Sequence, residues 1–600
     1  MKDSRENTDI WEASREWSHV MADVAERSHK MITDYLEKHP GMQPTATTSI
    51  DPLNIGNAFL EMGRAMMENP QALAKAQQEF WHSQMTLWQN TTRKMLGENV
   101  DPMIAPDQGD KRFKDDEWSE STLFDYIKQS YLLTSRWLQE TVNEVEGLDD
   151  HTARKVDFYT RQFADALAPT NFLMTNPAAL RETLDSKGDN LVQGLENLLG
   201  DLERGQGRLK ISMTDPEAFE IGGNIATTPG KVVYQNDLMQ LIQYTPSTET
   251  TYTTPLLIIP PWINKFYILD LKEKNSFIRY AVSQGHTVFV ISWINPDETL
   301  ADKSFEDYMF EGPLAALDAI EQATGEKEAN VIGYCLGGTL LASTLAYMTA
   351  KNDKRVKSAT YFTTMIDFTE AGELSVFIDE EQMKHLDQMM AEKGYLDGSE
   401  MATTFNMLRA NDLIWSFVIN NYLMGKQPFP FDLLYWNSDS TRMPAAMHSF
   451  YLRKMYVENR LMEPGGIILD NVPIDLTTIK TPTFVLSTKE DHIAPWKSTY
   501  SAVKTYAGPV KFVLAGSGHI AGVINPPSDK MKYGYWTSTK KTADPQAWLD
   551  GATQNDGSWW PEWQKWIARK AGKKIPARQP GDGKLKAIED APGSYVRVRV

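Results

Sequence analysis

The chain has 600 residues, with 61 Lys and Arg against 80 Asp and Glu, a formal net charge of −19. That balance excludes the dense basic footprint of a general nucleic-acid binder, and a content of 41% hydrophobic and 10% aromatic residues excludes wholesale disorder. A single cysteine excludes an internal disulfide framework and a Cys-cluster metal site. At about 150 residues per domain the length allows roughly four domains, or one large catalytic domain with appendages. The opening MKDSRENTDI has no apolar signal core. No apolar run reaches about 18 residues, so a cytoplasmic chain with no membrane span is expected.

From Ile10 to Leu202 the pattern is helical. Ile10, Trp11, Trp17, Val20, Met21, Val24, Met31, Ile32 and Leu36 recur at three- and four-residue spacings and form one stripe. Similar stripes follow at 58–66, 80–88 and 123–145, with loops at HPGMQPTATTS and MIAPDQGDKR. A packed helical bundle explains these stripes best; an apolar docking surface is the competing explanation. Beyond GRLKISMTDPEAFEIGGN, β-rich runs alternate with helices. Strands are expected at 231–234, 256–259, 287–292, 330–333, 358–363, 483–487 and 510–514, and helices at 313–323 and 338–349. This alternation predicts a mostly parallel α/β sheet. Residues 367–466 interrupt it with a long, helical, aromatic-rich stretch that reads as a cap inserted between two strands. The expected division is therefore a helical N-terminal domain over 1–205 and a catalytic α/β domain over 206–600 carrying that cap.

The apolar run Val331-Ile332 leads into Gly333-Tyr334-Cys335-Leu336-Gly337-Gly338 and then a small-residue helix. This is the G-x-S-x-G nucleophile elbow of the α/β-hydrolase fold with Cys replacing Ser. So sharp a strand-to-helix turn requires residues without bulk at Gly333 and Gly337. It projects the Cys335 sulfur at a helix N-terminus, where the macrodipole favours negative charge. The N–H of Leu336 becomes one oxyanion donor. The second is expected from the loop after strand 256–259, Pro260-Pro261-Trp262-Ile263-Asn264. Prolines carry no N–H, which leaves Trp262, Ile263 or Asn264, and Ile263 is taken for the site.

A thiol nucleophile needs a base and a group to orient it. Chain order in this fold is nucleophile, acid, histidine. Asp491 follows the strand PTFVLS, and His519 follows VKFVLA in the Gly-rich GSGHIAG; 156 residues separate Cys335 from Asp491 and 28 separate Asp491 from His519. Residues at strand C-termini share one edge of a parallel sheet. Glu490 competes with Asp491 but lies less deep in the loop, and His492 should point away from its neighbour. Among the ten histidines, His19, His29, His39, His82 and His151 lie in the N-terminal helical region and are expected to be exposed, and His286 is expected in a structural setting; His385 and His448 fall in the cap. Trp559, Trp560, Trp563 and Trp566 read as packing, and RKAGKKIPAR (569–578) as a solvated tail. There is no P-loop, no G-x-G-x-x-G and no metal-ligand spacing, so no metal and no resident cofactor are expected.

IATTPGKVVYQNDLMQLIQY, PPWINKFYILDL, GHTVFVISWINPD, GYCLGG, LRANDLIWSFVINNYL, FDLLYWNSDSTRMP and GSGHIAGVINPP occur in one order from Ile225 onward. In these motifs the chain resembles the class I polyhydroxyalkanoate synthases; upstream of about Asn224 the likeness is one of length and helical character. The resemblance implies transfer of (R)-3-hydroxyacyl groups, short ones such as 3-hydroxybutyryl, from coenzyme A to a growing polyester. It implies Cys335 as the acyl-bearing nucleophile, His519 as base and Asp491 as the group that helps activate the 3-hydroxyl. CoA enters with the substrate and leaves as product. A homodimer, a place on the polyester granule surface and neighbouring phasins are also implied. Two other functions remain: a Cys-dependent hydrolase or thioesterase on the same fold, and a granule-coating protein without activity.

Overall fold

Strand Leu256–Ile259 is LLII and strand Val288–Trp293 is VFVISW, and every residue in both is buried. Apolar side chains on both faces mark strands covered by helices on both sides, the setting of a parallel sheet. The computed structural model describes residues 3–38, 55–540 and 542–599; the expected loop over 39–49, with His39, lies outside them. Among the described residues these strands belong to one eleven-stranded sheet. In chain order its strands are β1 Gly230–Gln235, β2 Met239–Tyr244, β3 Leu256–Ile259, β4 Val288–Trp293, β5 Ala329–Tyr334, β6 Val356–Phe362, β7 Thr483–Thr488, β8 Val510–Ala515, β9 Tyr535–Thr537, β10 Thr553–Asn555 and β11 Glu589–Asp590. The spatial order is β10-β9-β8-β7-β6-β5-β3-β4-β2-β1-β11. The central run from β8 to β4 is parallel throughout, and the flanking pairs are antiparallel. This is the α/β-hydrolase arrangement.

The chain divides into two compact units, Met1–Asp215 with Phe405–Pro430, and Pro216–Thr404 with Phe431–Val600. Residues 405–430, within the stretch expected as a cap, group with the helical unit. The reason is polar stitching. Asn190 Nδ2 donates to Leu423 O at 2.7 Å, Asn421 Nδ2 to Ser212 O at 2.7 Å, and Tyr422 Oη to Asp201 Oδ2 at 2.6 Å. In this unit the first stripe is only partly core: Val20 and Val24 are buried, while Ile32 and Leu36 are exposed. Helix Pro70–Met95 likewise buries Leu87 and leaves Trp81, Met85 and Trp88 exposed at 64%, 57% and 58%. At four- and three-residue steps these three form an apolar face that bundle packing does not consume.

In the second unit the elbow is built by backbone meeting backbone. A Cβ on Gly333 would lie 2.5 Å from Gly338 Cα, and one on Gly337 would fall well inside contact distance of the Ile259 and Pro260 carbonyl oxygens. Helix Leu336–Ala350, rich in Ala, Thr and Gly, therefore seats directly against the ends of β5 and β3. The expected solvated tail is not one: Lys574–Pro576 pairs antiparallel with Thr250–Tyr252. Arg578 donates to Thr253 O at 2.9 Å and to Glu326 at 2.7 Å. Its charges looked like a solvated run because their partners lie about 250 to 325 positions away in sequence.

Gly337→Ala is expected to destabilise the protein by about 1–3 kcal/mol, as overpacking against fixed backbone does. Gly518→Ala, whose new methyl would find its nearest neighbour at 3.6 Å, should melt within a degree or two of the parent. Thermal unfolding of the two variants side by side checks this; equal melting temperatures would contradict the close approach at the elbow.

Candidate active site

Four strands of the parallel run deliver their following loops to one edge. Cys335 follows β5 directly, Ile263 lies four residues past β3, Asp491 three past β7 and His519 four past β8. Cys335 has φ 51° and ψ −119°, a conformation that costs a residue with a side chain on the order of 1–3 kcal/mol. Its N–H donates to Phe362 O at 2.9 Å, and its carbonyl accepts from Gly338 at 2.9 Å and Thr339 at 3.2 Å. Cys335 is half-buried. Leu336 is the first residue of the helix, so its N–H has no acceptor within that helix.

The loops after β7 and β8 are tied together before either reaches the site. Lys489 N donates to Ala515 O at 2.8 Å, and Glu490 N to Ser517 O at 3.0 Å. This places Asp491 beside His519, with Oδ2 2.7 Å from Nδ1. The rest of the carboxylate is saturated: Oδ1 accepts from Ile493 N at 2.9 Å and Ala494 N at 2.8 Å, and Oδ2 also from Thr488 Oγ1 at 3.2 Å. With Asp491 as acceptor, Nδ1 carries a proton and Nε2 is the nitrogen left for Cys335. Glu490 is exposed, and His492 contributes its carbonyl to Glu373 N at 3.1 Å.

Burial opposes charge on His519, but the Asp491 carboxylate and the Cys335 sulfur outweigh it and push its pKa up to about 10. A side-chain hydrogen bond with Cys335 adds to the rise. The structure thus brings Cys335, Asp491 and His519 together. His286 and His448, by contrast, are buried and pushed down to about 4 by desolvation. His519 also stacks on Tyr334, with ring centroids 6.0 Å apart at 24°.

Two groups near this site have partners that residue type alone does not reveal. Trp559 and Trp560, read as packing, are fully buried but also donate their indole N–H groups to Gly522 O and Val523 O, each at 2.9 Å. They pin the loop that carries His519. Above the sulfur, Tyr451 closes helix Ala445–Tyr451, and Tyr456 lies in the π-helical turn Leu452–Val457 that follows. On an α-helix, residues five apart diverge by about 140°. The wider turn brings their rings to 5.8 Å from each other. Phe368 packs on both, and Trp262 packs edge-on to Tyr451 at 5.7 Å. Burial and the Cys335 sulfur together push both tyrosine pKa values upward. Among the described residues no group of three or more His, Cys, Asp or Glu is placed to hold a metal ion.

Comparison with known proteins decides the family. The Poly-beta-hydroxybutyrate polymerase (PhaC) N-terminus family matches residues 109–281, and the alpha/beta hydrolase fold family matches 254–526. The "Poly(3-hydroxyalkanoate) polymerase subunit PhaC" of Rhizobium meliloti (strain 1021) is 55% identical over 513 residues, 86% of this chain and 84% of its own. The chain belongs to the poly(3-hydroxyalkanoate) polymerase family. The "Poly(3-hydroxyalkanoate) polymerase" of Methylorubrum extorquens is 53% identical over 87% of this chain and 86% of its own, and the Cupriavidus necator polymerase subunit is 41% identical over 93% and 91%. The family match starts at residue 109, upstream of the Ile225 at which the sequence motifs begin. The helical unit therefore shares family sequence as well as helical character.

His519 stabilises the fold through its raised pKa. That contribution is complete below about pH 6.5, the ordinary value, and is lost as pH rises through about 10. The melting-temperature gap between the parent and His519→Gln is expected to narrow steadily from pH 6.5 to 10. A gap independent of pH would show that the ring gains nothing from its charged neighbours.

Proposed function

We propose that this chain is an acyltransferase that polymerises short (R)-3-hydroxyacyl groups from their CoA thioesters, of class I type, through a covalent thioester on Cys335. The observation that carries the chemistry is the His519–Asp491 hydrogen bond with the Cys335 sulfur close enough to raise the His519 pKa, with family membership supplying the substrate class. The proton shared between the Cys335 sulfur and His519 Nε2 rests on the imidazole as the sulfur attacks the acyl carbonyl. The N–H groups of Leu336 and Ile263 stabilise the oxyanion. The bond to CoA sulfur breaks, and CoA leaves with the proton from His519. The 3-hydroxyl of a second unit then gives its proton to His519 and attacks the acyl carbon, forming an ester and freeing Cys335.

Sulfur suits this sequence of steps. Exchange of one thioester for another loses little free energy, so the acyl group stays activated until the more stable ester forms. A serine ester would discard that driving force at the first step. The Asp491 side chain is fully enclosed and both its oxygens are engaged, so we assign the proton of the 3-hydroxyl to His519, with Asp491 orienting the ring and stabilising its charge. Trp262, Phe368, Tyr451 and Tyr456 form an aromatic surround that keeps water from the acyl-enzyme.

The exposed Trp81, Met85 and Trp88 support a place on the apolar polyester granule, in the cytoplasm, with phasins as neighbours and a homodimer as the working form. No helix among the described residues is long and apolar enough to cross a membrane. CoA takes part as substrate and product, and we assign the chain no resident cofactor.

Incubation with 3-hydroxybutyryl-CoA, following free thiol and product mass, tests the function. Thiol release with long polyester is the expected result. Thiol with free 3-hydroxybutyrate alone would mark a hydrolase, and no thiol a coat protein. Cys335→Ala should release no CoA above background.

A further inference from the structure

The loop Pro260–Asn264 bears the proposed second oxyanion donor, and its two prolines hold no backbone donors of their own. What fixes it comes next in the chain and from the segment 436–441. Trp436 Nε1 donates to Lys265 O at 2.8 Å, and Thr441 Oγ1 to Trp262 O at 2.9 Å. Asn264 forms an isolated antiparallel bridge with Ser440. At the centre of this seam lies an ion pair. Lys265 Nζ is 2.7 Å from Asp439 Oδ1, and their side chains are 3% and 2% exposed. The ammonium also donates to Val598 O at 2.8 Å, Tyr267 Oη donates to Asp439 Oδ2 at 2.8 Å, and Arg599 Nε approaches Asp439 Oδ1 at 3.6 Å.

A buried ion pair is a poor means of gaining stability. Desolvation consumes most of the Coulombic attraction, and apolar residues of similar volume often hold a fold as well or better. What a pair adds is direction: each partner satisfies several hydrogen bonds in one geometry. Here the pair adjoins the one loop whose backbone must aim an N–H at a developing oxyanion. A donor displaced by about 1 Å loses much of its effect.

We propose that Lys265 and Asp439 are positioning residues for the oxyanion loop, holding the Ile263 N–H on target so that the pair governs the rate of acyl transfer while leaving substrate affinity and the reactivity of the Cys335 sulfur unchanged. The proposal rests on the acyl-transfer function above. Neither side chain touches the reacting atoms; the pair acts through the backbone of residues 262–265.

The test is the double variant Lys265→Met/Asp439→Leu, which removes both charges of the pair and frees Tyr267 Oη and Arg599 from Asp439, alongside Lys265→Arg and Asp439→Asn. Three quantities are read with 3-hydroxybutyryl-CoA and with iodoacetamide: kcat for CoA release, KM, and the rate of Cys335 alkylation. Alkylation forms no oxyanion, so it reports the sulfur and His519 alone. In the double variant kcat should fall roughly 10- to 100-fold, with KM and alkylation rate within about threefold of the parent. Asp439→Asn should fall between the two, because it keeps an acceptor for Lys265. Lys265→Arg should restore little, because a planar fork cannot replace a point donor in this seam. Should the double variant not fold, Asp439→Asn alone gives the same split between kcat and alkylation. Unchanged kcat, or alkylation falling in step with it, overturns the proposal. A parent protein that released no CoA would instead overturn the acyl-transfer function.

Discussion

The close seating of one helix against two strand ends governs everything at the catalytic edge. Because Gly333, Gly337 and Gly338 lack side chains, helix Leu336–Ala350 starts against the backbone of β5 and β3. Cys335 is then forced into a left-handed conformation, with its sulfur outward and the first helical N–H beside it. Strain of this kind persists only where surrounding structure over-determines the turn. The Phe362, Gly338 and Thr339 hydrogen bonds to the Cys335 backbone do that.

The remaining groups are brought to the sulfur by sheet register. β7 and β8 run parallel with Thr488 opposite Ala515, so the loops that leave them start level and bond to each other within two residues. A carboxylate so deep in the protein would be costly if left unpaired. Asp491 avoids that cost with four donors, one of them His519. The loop that carries the histidine is held further along by two indoles that donate to the carbonyls at 522 and 523. His519, Asp491 and Cys335 are therefore brought together by elements far apart in sequence and adjacent in the sheet.

Much of this was legible in the residues. The parallel strands are short apolar runs ending in Gly- or Asp-containing loops, and each expected strand falls within two residues of its observed limits. Chain order and loop depth pointed to Cys335, Asp491 and His519, which the fold brings close together. What escaped was decided by distant partners. Strand β2, MQLIQY, reads as half polar, yet every residue is buried, because its glutamines sit inside the sheet; Gln240 bonds Gln235 and Ser594. The short antiparallel strands β9, β10 and β11 carry too few residues for a period to show. Residues 405–430 look like cap until their hydrogen bonds to the helical unit are seen. The Trp559 and Trp560 indoles, and the Lys265–Asp439 pair, show only a residue type in sequence; the roles come from which carbonyl or carboxylate lies opposite.

The central claim is that the growing acyl chain is carried on one sulfur. Quenching the protein with acid during turnover of 3-hydroxybutyryl-CoA, then digesting it and weighing the peptides, tests that claim directly. The Cys335 peptide should carry one or more hydroxybutyryl units through a bond that neutral hydroxylamine cleaves. Steady turnover with an unmodified Cys335 peptide, or with the acyl units on a serine or threonine elsewhere, would contradict the account.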